Sequence, residues 1–356
     1  MSSGTSTSHL QLDPPPPGLR IGVDTHADVH VAVAIDELGR RHATISLPTT
    51  MAGLRRLHTW ARQLGPVVAW GIEGTGSYGA RLARLLVDHG EVVLEVSRPD
   101  RRLRRDLGKS DPIDAEAAAR AVLAGTALGQ PKTGTGAAES LRHLRAARQA
   151  ALKARTQAAN QLRALLLHAP EELRTLRDQA NPGRLAASCA RLRPATATTG
   201  ADLLKHTLRS IASRWLALDT EIRTLDTLID PLLRSAVPVL LARRGIGPDV
   251  AATLLVTAGD NPQRLRSERA FAALCGASPI PASSGKTRRH RLNRGGDRQA
   301  NRALHVIVLN RMQHDPRTRA YVARRTTEGR SKLEIMRCLK RYVVREVFPL
   351  LRQAVS

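Results

Sequence analysis

The chain is poor in acidic residues, in cysteine and in long apolar runs, and each shortage removes a class of function. In 356 residues, 31 Asp and Glu stand against 56 Lys and Arg, a formal net charge of +25. An excess of this size suits a polyanionic partner, because Lys and Arg held near phosphates release condensed counterions on binding, and nucleic acid leads among such partners. Codon bias in a GC-rich genome accounts for Arg over Lys but not for the missing acids. The three cysteines, Cys189, Cys275 and Cys338, are too few and too scattered for a disulfide framework or a zinc site, and fit a reducing compartment. No stretch approaches the roughly 20 apolar residues of a membrane span. The opening MSSGTSTSHLQLDPPPPGLR lacks the basic-then-apolar order of a secretory signal. A soluble intracellular protein with no membrane partner is expected.

What is present divides the chain into four stretches. Residues 1–18, Ser/Thr-rich and then Pro14 to Pro17, read as a disordered leader. Residues 19–127 mix strands and helices. Leu19, Ile21 and Val23, then Val29, Val31, Val33 and Ile35, alternate at the period-two spacing of strands, with Glu37-Leu38-Gly39 in a turn. A third strand near 42–47, strands at 67–72 and 91–96, and helices near 50–64, 78–89 and 112–123 complete an α/β unit with a mixed sheet. Residues 137–235 read as a helical linker or oligomerisation region. Leu141, Leu144, Leu152, Leu162, Leu165 and Leu166 fall roughly on one face as a packing or oligomerisation seam. Arg142, Arg145, Arg148, Lys153 and Arg155 take the other faces, either as a solvated surface or as nucleic-acid contacts. Residues 236–356 form a third, mostly helical unit, strongly basic from Lys286 onward.

Four carboxylates stand out. Asp24 lies in the apolar first arm of the hairpin, where an unpaired carboxylate is costly to bury. Glu73 ends the strand VVAWGIE, which can lie beside the first. Asp111 and Asp114, in KSDPIDAEAAAR, open a helix with Pro112 in its first turn, and their i, i+3 spacing puts both on one face. Converging from three elements, the four suit Mg²⁺, a hard cation with oxygen ligands, in two-metal phosphoryl transfer. Singly, each has a plainer role: Asp111 as helix cap, Asp114 as a first-turn acid facing the helix dipole, Asp24 and Glu73 as turn acceptors.

Two rival readings use the same region. GTGSYG, residues 74–79, matches the G-x-G-x-x-G dinucleotide fingerprint, with Glu95 about 20 residues on. Against it, the strand follows three others, Glu73 enters the tight turn, and a small-molecule enzyme has no use for so much positive charge. An actin-like ATPase also carries Asp on a first strand, but THADVH supplies no Gly/Thr phosphate loop.

Further on, Gly245-Ile246-Gly247 resembles the turn of a helix-hairpin-helix, which presents backbone N–H groups to a phosphate. Ser283-Ser284-Gly285 then precedes Lys286, Arg288, Arg289, Arg291, Arg294, Arg298 and Arg302, the candidate nucleic-acid contacts. A hydroxyl amid guanidinium groups is a sensible setting for attack on a phosphodiester, since cations stabilise the charge that develops.

These pieces together resemble a known family, the DEDD transposases of bacterial insertion sequences, understood as bridge-RNA-guided serine recombinases. GVDTHADVHVAV, GIEGTGSYGARLARLL, GKSDPIDAEAAAR, RRGIGPDVAATLL, GASPIPASSGK, RGGDRQANRAL and DPRTRAYVARRTTEGRSKLEIMRCLKRYVVRE occur in family order across residues 19–346. The resemblance implies a RuvC-like, ribonuclease-H-like N-terminal domain holding Mg²⁺ on Asp24, Glu73, Asp111 and Asp114. It implies a helical linker and a C-terminal transposase domain whose nucleophile is Ser284, the serine of the family's Ser-Gly pair, with Ser283 adjacent. The implied partners are donor and target double-stranded DNA, a guide RNA and further copies of the chain, dimer to tetramer, with the metal domain of one subunit meeting the serine domain of another. The implied location is the bacterial cytoplasm, at the nucleoid. Two departures are Thr257-Ala258-Gly259-Asp260, where family members carry an acid before the Gly-Asp pair, and GASP in place of Gly-Leu-x-Pro. The alternatives are a metal-dependent, Holliday-junction-resolvase-like nuclease using water, and a domesticated DNA-binding protein.

Overall fold

A computed structural model describes residues 17–96, 110–127, 129–195, 200–261, 264–283 and 290–353. Most of the expected leader lies outside them. The alternating apolar residues fold as the spacing requires. β1 (Leu19–Thr25) pairs antiparallel with β2 (Val29–Ile35), and β2 with β3 (Arg41–Pro48). The β2–β3 turn has Gly39 at φ +77°, and the Asp36 carboxylate accepts from the backbone N–H groups of Leu38 and Arg40. β4 (Val67–Glu73) adds parallel to β1, and β5 (Val93–Val96) parallel to β4, so the mixed sheet runs β3-β2-β1-β4-β5.

One face of the sheet is covered by α1 (Met51–Leu64), capped by Thr50, and α2 (Ala80–Asp88). Ile21, Val23, Trp70 and Ile72 meet Leu54, Leu57, Leu82 and Leu86 there in a closed core. Val31, Val33 and Ile35 on the other face receive α3 (Asp111–Leu123) through Ala115 and Ala119. The closeness of that contact is set by two glycines side by side in the parallel register, Gly22 of β1 and Gly71 of β4. A Cβ on Gly22 would lie 1.9 Å from the Ala115 carbonyl oxygen, and one on Gly71 2.7 Å from that of Ala118. Helix backbone therefore lies almost directly on strand backbone. That contact fixes the first turn of α3 against the end of β1.

Chain contacts divide the molecule into two compact units, Met1–Thr133 and Gly134–Ser356. In the second, the expected helical stretch 137–235 consists of two long helices, α4 (Ala137–Leu167) and α7 (Gly200–Ala236), with short helices α5 (Glu171–Arg174) and α6 (Pro182–Ala190) between. Then come α8 (Pro238–Leu241), α9 (Pro248–Ala258), α10 (Glu268–Leu274), a two-residue hairpin of β6 (Ile280–Pro281) and β7 (His290–Arg291), α11 (Arg298–His314), α12 (Pro316–Thr327) and α13 (Lys332–Gln353).

The leucine face is spent on intrachain packing. Leu162 and Leu166 meet Leu185, Leu208 and Trp215 in one core, while Leu141, Ile229 and Leu233 join Phe271, Leu304 and Val344 in another. Position 236 thus falls inside a shared core. Asp260, the aspartate of the Gly-Asp pair, caps α4 by accepting from the N–H groups of Ala138 (2.7 Å) and Glu139 (3.3 Å). The linker arginines are ion-paired within the chain: Arg142 to Glu139, Arg145 to Asp249, Arg148 to Asp226 and Arg155 to Asp219. No described helix is long and apolar enough to cross a membrane.

Candidate active site

Asp24 sits near the end of β1 opposite Val31, on the face that carries α3, and is 8% exposed. His26, two residues on, approaches it with Nε2 3.1 Å from Oδ2, and the same nitrogen lies 3.5 Å from Oδ1 of Asp111. One donor atom from each of Asp24, His26 and Asp111 falls within 4.8 Å of the others. Asp114, buried one turn along α3, is close enough for its charge to act on Asp24. Burial pushes the Asp24 carboxyl above its ordinary range, His26 pulls it down, and Asp114 and Asp111 push it up again.

The same hairpin holds a second buried carboxylate that behaves differently. Asp36 is also desolvated, but the N–H groups of Leu38 and Arg40, the Arg40 guanidinium and His42 surround it and hold it well below the carboxylate range. Asp24 has no such set. It faces two further acids with one imidazole between them.

Asp111 is not the cap of its helix. Ser110 occupies that position with extended backbone, Pro112 follows in the first turn, and the Asp111 carboxylate turns to His26. Glu73 ends β4 one residue beyond the Val23–Ile72 pair, so it reaches the same sheet edge as Asp24. Its carbonyl accepts from Thr25 Oγ1 at 2.8 Å, tying the two strand ends together. The GTGSYG stretch after it is a turn. Gly74 has φ +69°, and its carbonyl accepts from the N–H groups of Ser77 and Gly79, which leads the chain from Glu73 into α2.

The carboxylate oxygens of this set fit a hard divalent cation, and the imidazole adds a nitrogen donor. His26 was absent from the sequence expectation. Its signal was the i, i+2 spacing from Asp24 across a strand end, which places both side chains on one face.

In the second unit, the β6–β7 hairpin pairs Ile280 with Arg291 and Pro281 with His290. Ser284, Lys286, Arg288 and Arg289 lie outside the described residues. The end of α10 is bound to the start of α11: the Asp297 N–H donates to the Leu274 carbonyl at 2.7 Å, and Asn301 Nδ2 donates to the carbonyls of Cys275 (2.9 Å) and Gly276 (3.1 Å). Lys340 Nζ donates to Asn301 Oδ1 at 2.7 Å, and its burial holds the ammonium below its ordinary range. Arg291, Arg294, Arg298 and Arg302 are exposed, without an ion-pair partner among the described residues, and the last two share a face of α11 at i, i+4. Gly245 turns at φ +80° between α8 and α9, packed against Asn310 of α11.

Two family models match the chain. One described as a transposase covers residues 21–169, and one described as the transposase IS116/IS110/IS902 family covers residues 238–323. The chain is 31% identical over 156 residues to the insertion element IS110 uncharacterized 43.6 kDa protein of Streptomyces coelicolor, covering 43% of this chain and 38% of that one. It is 28% identical, also over 156 residues, to the insertion element IS900 uncharacterized 42 kDa protein of Mycobacterium paratuberculosis, covering 43% and 39%. Each match spans about two fifths of the relative's length. With family models matching both the carboxylate-bearing sheet and the α8–α12 region, the chain belongs to the IS110 family of insertion-sequence transposases.

Proposed function

We propose that this transposase moves its element by cutting and rejoining DNA, with a ribonuclease-H-like N-terminal domain that uses Mg²⁺ and a C-terminal domain that supplies Ser284 as nucleophile. The observation that carries the reading is the convergence of Asp24, His26 and Asp111 beside the buried Asp114. The buried Asp24 carboxylate, with Asp111 and Asp114 beside it and the His26 imidazole against it, offers oxygen donors of the kind a hard divalent cation takes.

Asp24, Glu73, Asp111 and Asp114 would hold the cation. Bound there, Mg²⁺ supplies the charge that lowers the barrier to attack at phosphorus and stabilises the departing oxygen. His26 orients the carboxylates of Asp24 and Asp111 toward one point. The Ser284 hydroxyl attacks the phosphodiester: a Ser Oγ–P bond forms as a P–O bond to one sugar breaks, and the sugar hydroxyl leaves with a proton. The phosphoserine keeps the bond energy for rejoining to a second strand, which hydrolysis would discard. Lys286, Arg288, Arg289, Arg291, Arg294, Arg298 and Arg302 contact DNA or RNA phosphates near that serine. Donor and target duplexes are chosen by a guide RNA, and the protein acts in the cytoplasm, on the nucleoid, as a dimer or tetramer whose active sites join two subunits.

The test is cleavage of duplex DNA carrying the element's ends, with guide RNA and Mg²⁺. The wild-type chain should cut, EDTA should stop it, and Asp24→Asn, Glu73→Gln and Asp114→Asn should each lose at least a hundredfold in rate while melting as folded proteins. Folded variants that cut at the wild-type rate would show the carboxylates to be structural.

A further inference from the structure

We infer that a groove in the second unit, between α4 and α11, holds a single strand of RNA by its phosphates; this rests on the proposed function, in which a guide RNA is a partner. The groove encloses about 1290 Å³, with α4 as one wall, α11 as the other and α9 beneath. Lys153, Gln157 and Asn160 line it from one face of α4 at i, i+4 and i+7, and Gln299 and Arg302 from one face of α11 at i, i+3.

Its charge is what singles it out. Arg148 and Asp249 also reach the groove, but Arg148 is neutralised by Asp226 and Asp249 by Arg145. Lys153 and Arg302 are exposed and have no ion-pair partner among the described residues, so the walls carry two uncompensated positive charges. A second copy of a chain with net charge +25 is a poor occupant for such a wall. A phosphate backbone is a good one.

Three features narrow the ligand. The lining holds no aromatic ring, so bases gain no stacking platform and contacts fall on the backbone, without preference for sequence. A groove bounded by helices on two sides admits a single strand more readily than the broad cylinder of a duplex. Gln157, Asn160 and Gln299 each offer a carbonyl acceptor as well as N–H donors, and the 2′-hydroxyl of RNA supplies the matching donor that DNA lacks.

The test is fluorescence anisotropy of the full chain with a labelled 12-nucleotide oligouridylate, the matching oligodeoxythymidylate and a duplex of the same length, across a salt series. Lys153→Gln/Arg302→Gln should weaken oligouridylate binding at least tenfold near physiological salt. It should also flatten the slope of log affinity against log salt by about 1.4, at roughly 0.7 per single-strand phosphate contact. Gln157→Glu, which only adds a negative charge, should weaken binding too. Arg177→Gln/Arg319→Gln removes the same charge outside the groove and should bind like wild type. Equal losses for the two double variants would overturn the groove, and equal or tighter binding of the deoxy strand or the duplex would overturn the choice of RNA single strand. If the wild type binds oligouridylate and the groove variants match it, the groove alone fails. If the wild type binds no RNA at any salt, the guide-RNA reading fails with it.

Discussion

Replacing Gly22 with alanine adds one methyl group, yet it should disable the site. The new Cβ would stand 1.9 Å from the Ala115 carbonyl oxygen and 2.3 Å from the Ala119 nitrogen, both backbone atoms of α3. Relief to ordinary contact requires the helix to back away from the sheet by more than 1 Å. Overpacking of a well-packed core costs about 1–3 kcal/mol, and with backbone as the obstacle the upper end applies, roughly 3 kcal/mol. For a unit near 100 residues that is a fall of roughly 12–20 °C in melting temperature. The same displacement carries Asp111 and Asp114 away from Asp24, and a 1 Å error in a reacting constellation costs about a hundredfold in rate. Calorimetry and a Mg²⁺-dependent cleavage assay on Gly22→Ala read both effects. Adding Ala119→Gly should not rescue the variant, since the shortest contacts are to backbone. Gly76→Ala, whose Cβ meets nothing within 4 Å, should melt as wild type. A Gly22→Ala protein as stable and active as wild type would refute the close helix-on-sheet contact.

Other perturbations follow from the same geometry. The folded pKa of Asp24 is raised, so without divalent metal the folded state binds the proton more tightly than the unfolded chain, and stability falls as pH rises past 3.8. Asp24→Asn in EDTA should therefore match wild type in acid and melt higher near neutrality, while added Mg²⁺ should raise the wild-type melting temperature and leave the variant unmoved. Asp260→Ala removes the cap of α4 and should lower stability by about 1 kcal/mol in urea titration, with Asp260→Asn nearly neutral. Burial pushes the Cys189 thiol up to about 11 and the Cys275 thiol up to about 12, so maleimide at pH 8 should label the half-buried Cys338 of the folded protein and spare those two until denaturant is added.

Much of the first unit was legible because its signals are local. Period-two alternation marks β1 and β2 residue by residue, and Pro112 after Ser110 marks the start of α3. What spacing alone does not show is why Asp111 and Asp114 meet Asp24, since that depends on Gly22 and Gly71 lying side by side and clearing a path for the helix. The same glycines read in sequence as weak strand residues. His26 escaped notice because its i, i+2 spacing from Asp24 is shared by every alternate pair on a strand and gains meaning only once the strand end that aims both side chains is known. In the second unit, the arginines of α4 read as a free basic face, and the acidic partners of Arg145, Arg148 and Arg155 lie far along the chain: Asp249, Asp226 and Asp219 are tens of residues or more away and become neighbours only when α4, α7 and α9 pack. Long-range charge pairing of this kind has no periodicity. The shared core of Leu141 and Leu233 with Phe271 was hidden for the same reason.

The most direct test of the central claim is to trap the reaction on a nicked suicide DNA substrate, with guide RNA and Mg²⁺, and to locate any protein–DNA bond by denaturing gel and peptide mass spectrometry. The expected result is a DNA adduct on the peptide containing Ser284, absent in EDTA and absent from Asp24→Asn. DNA cutting without any adduct, together with an active Ser283→Ala/Ser284→Ala protein, would contradict the serine mechanism and leave a metal-dependent hydrolytic nuclease in its place.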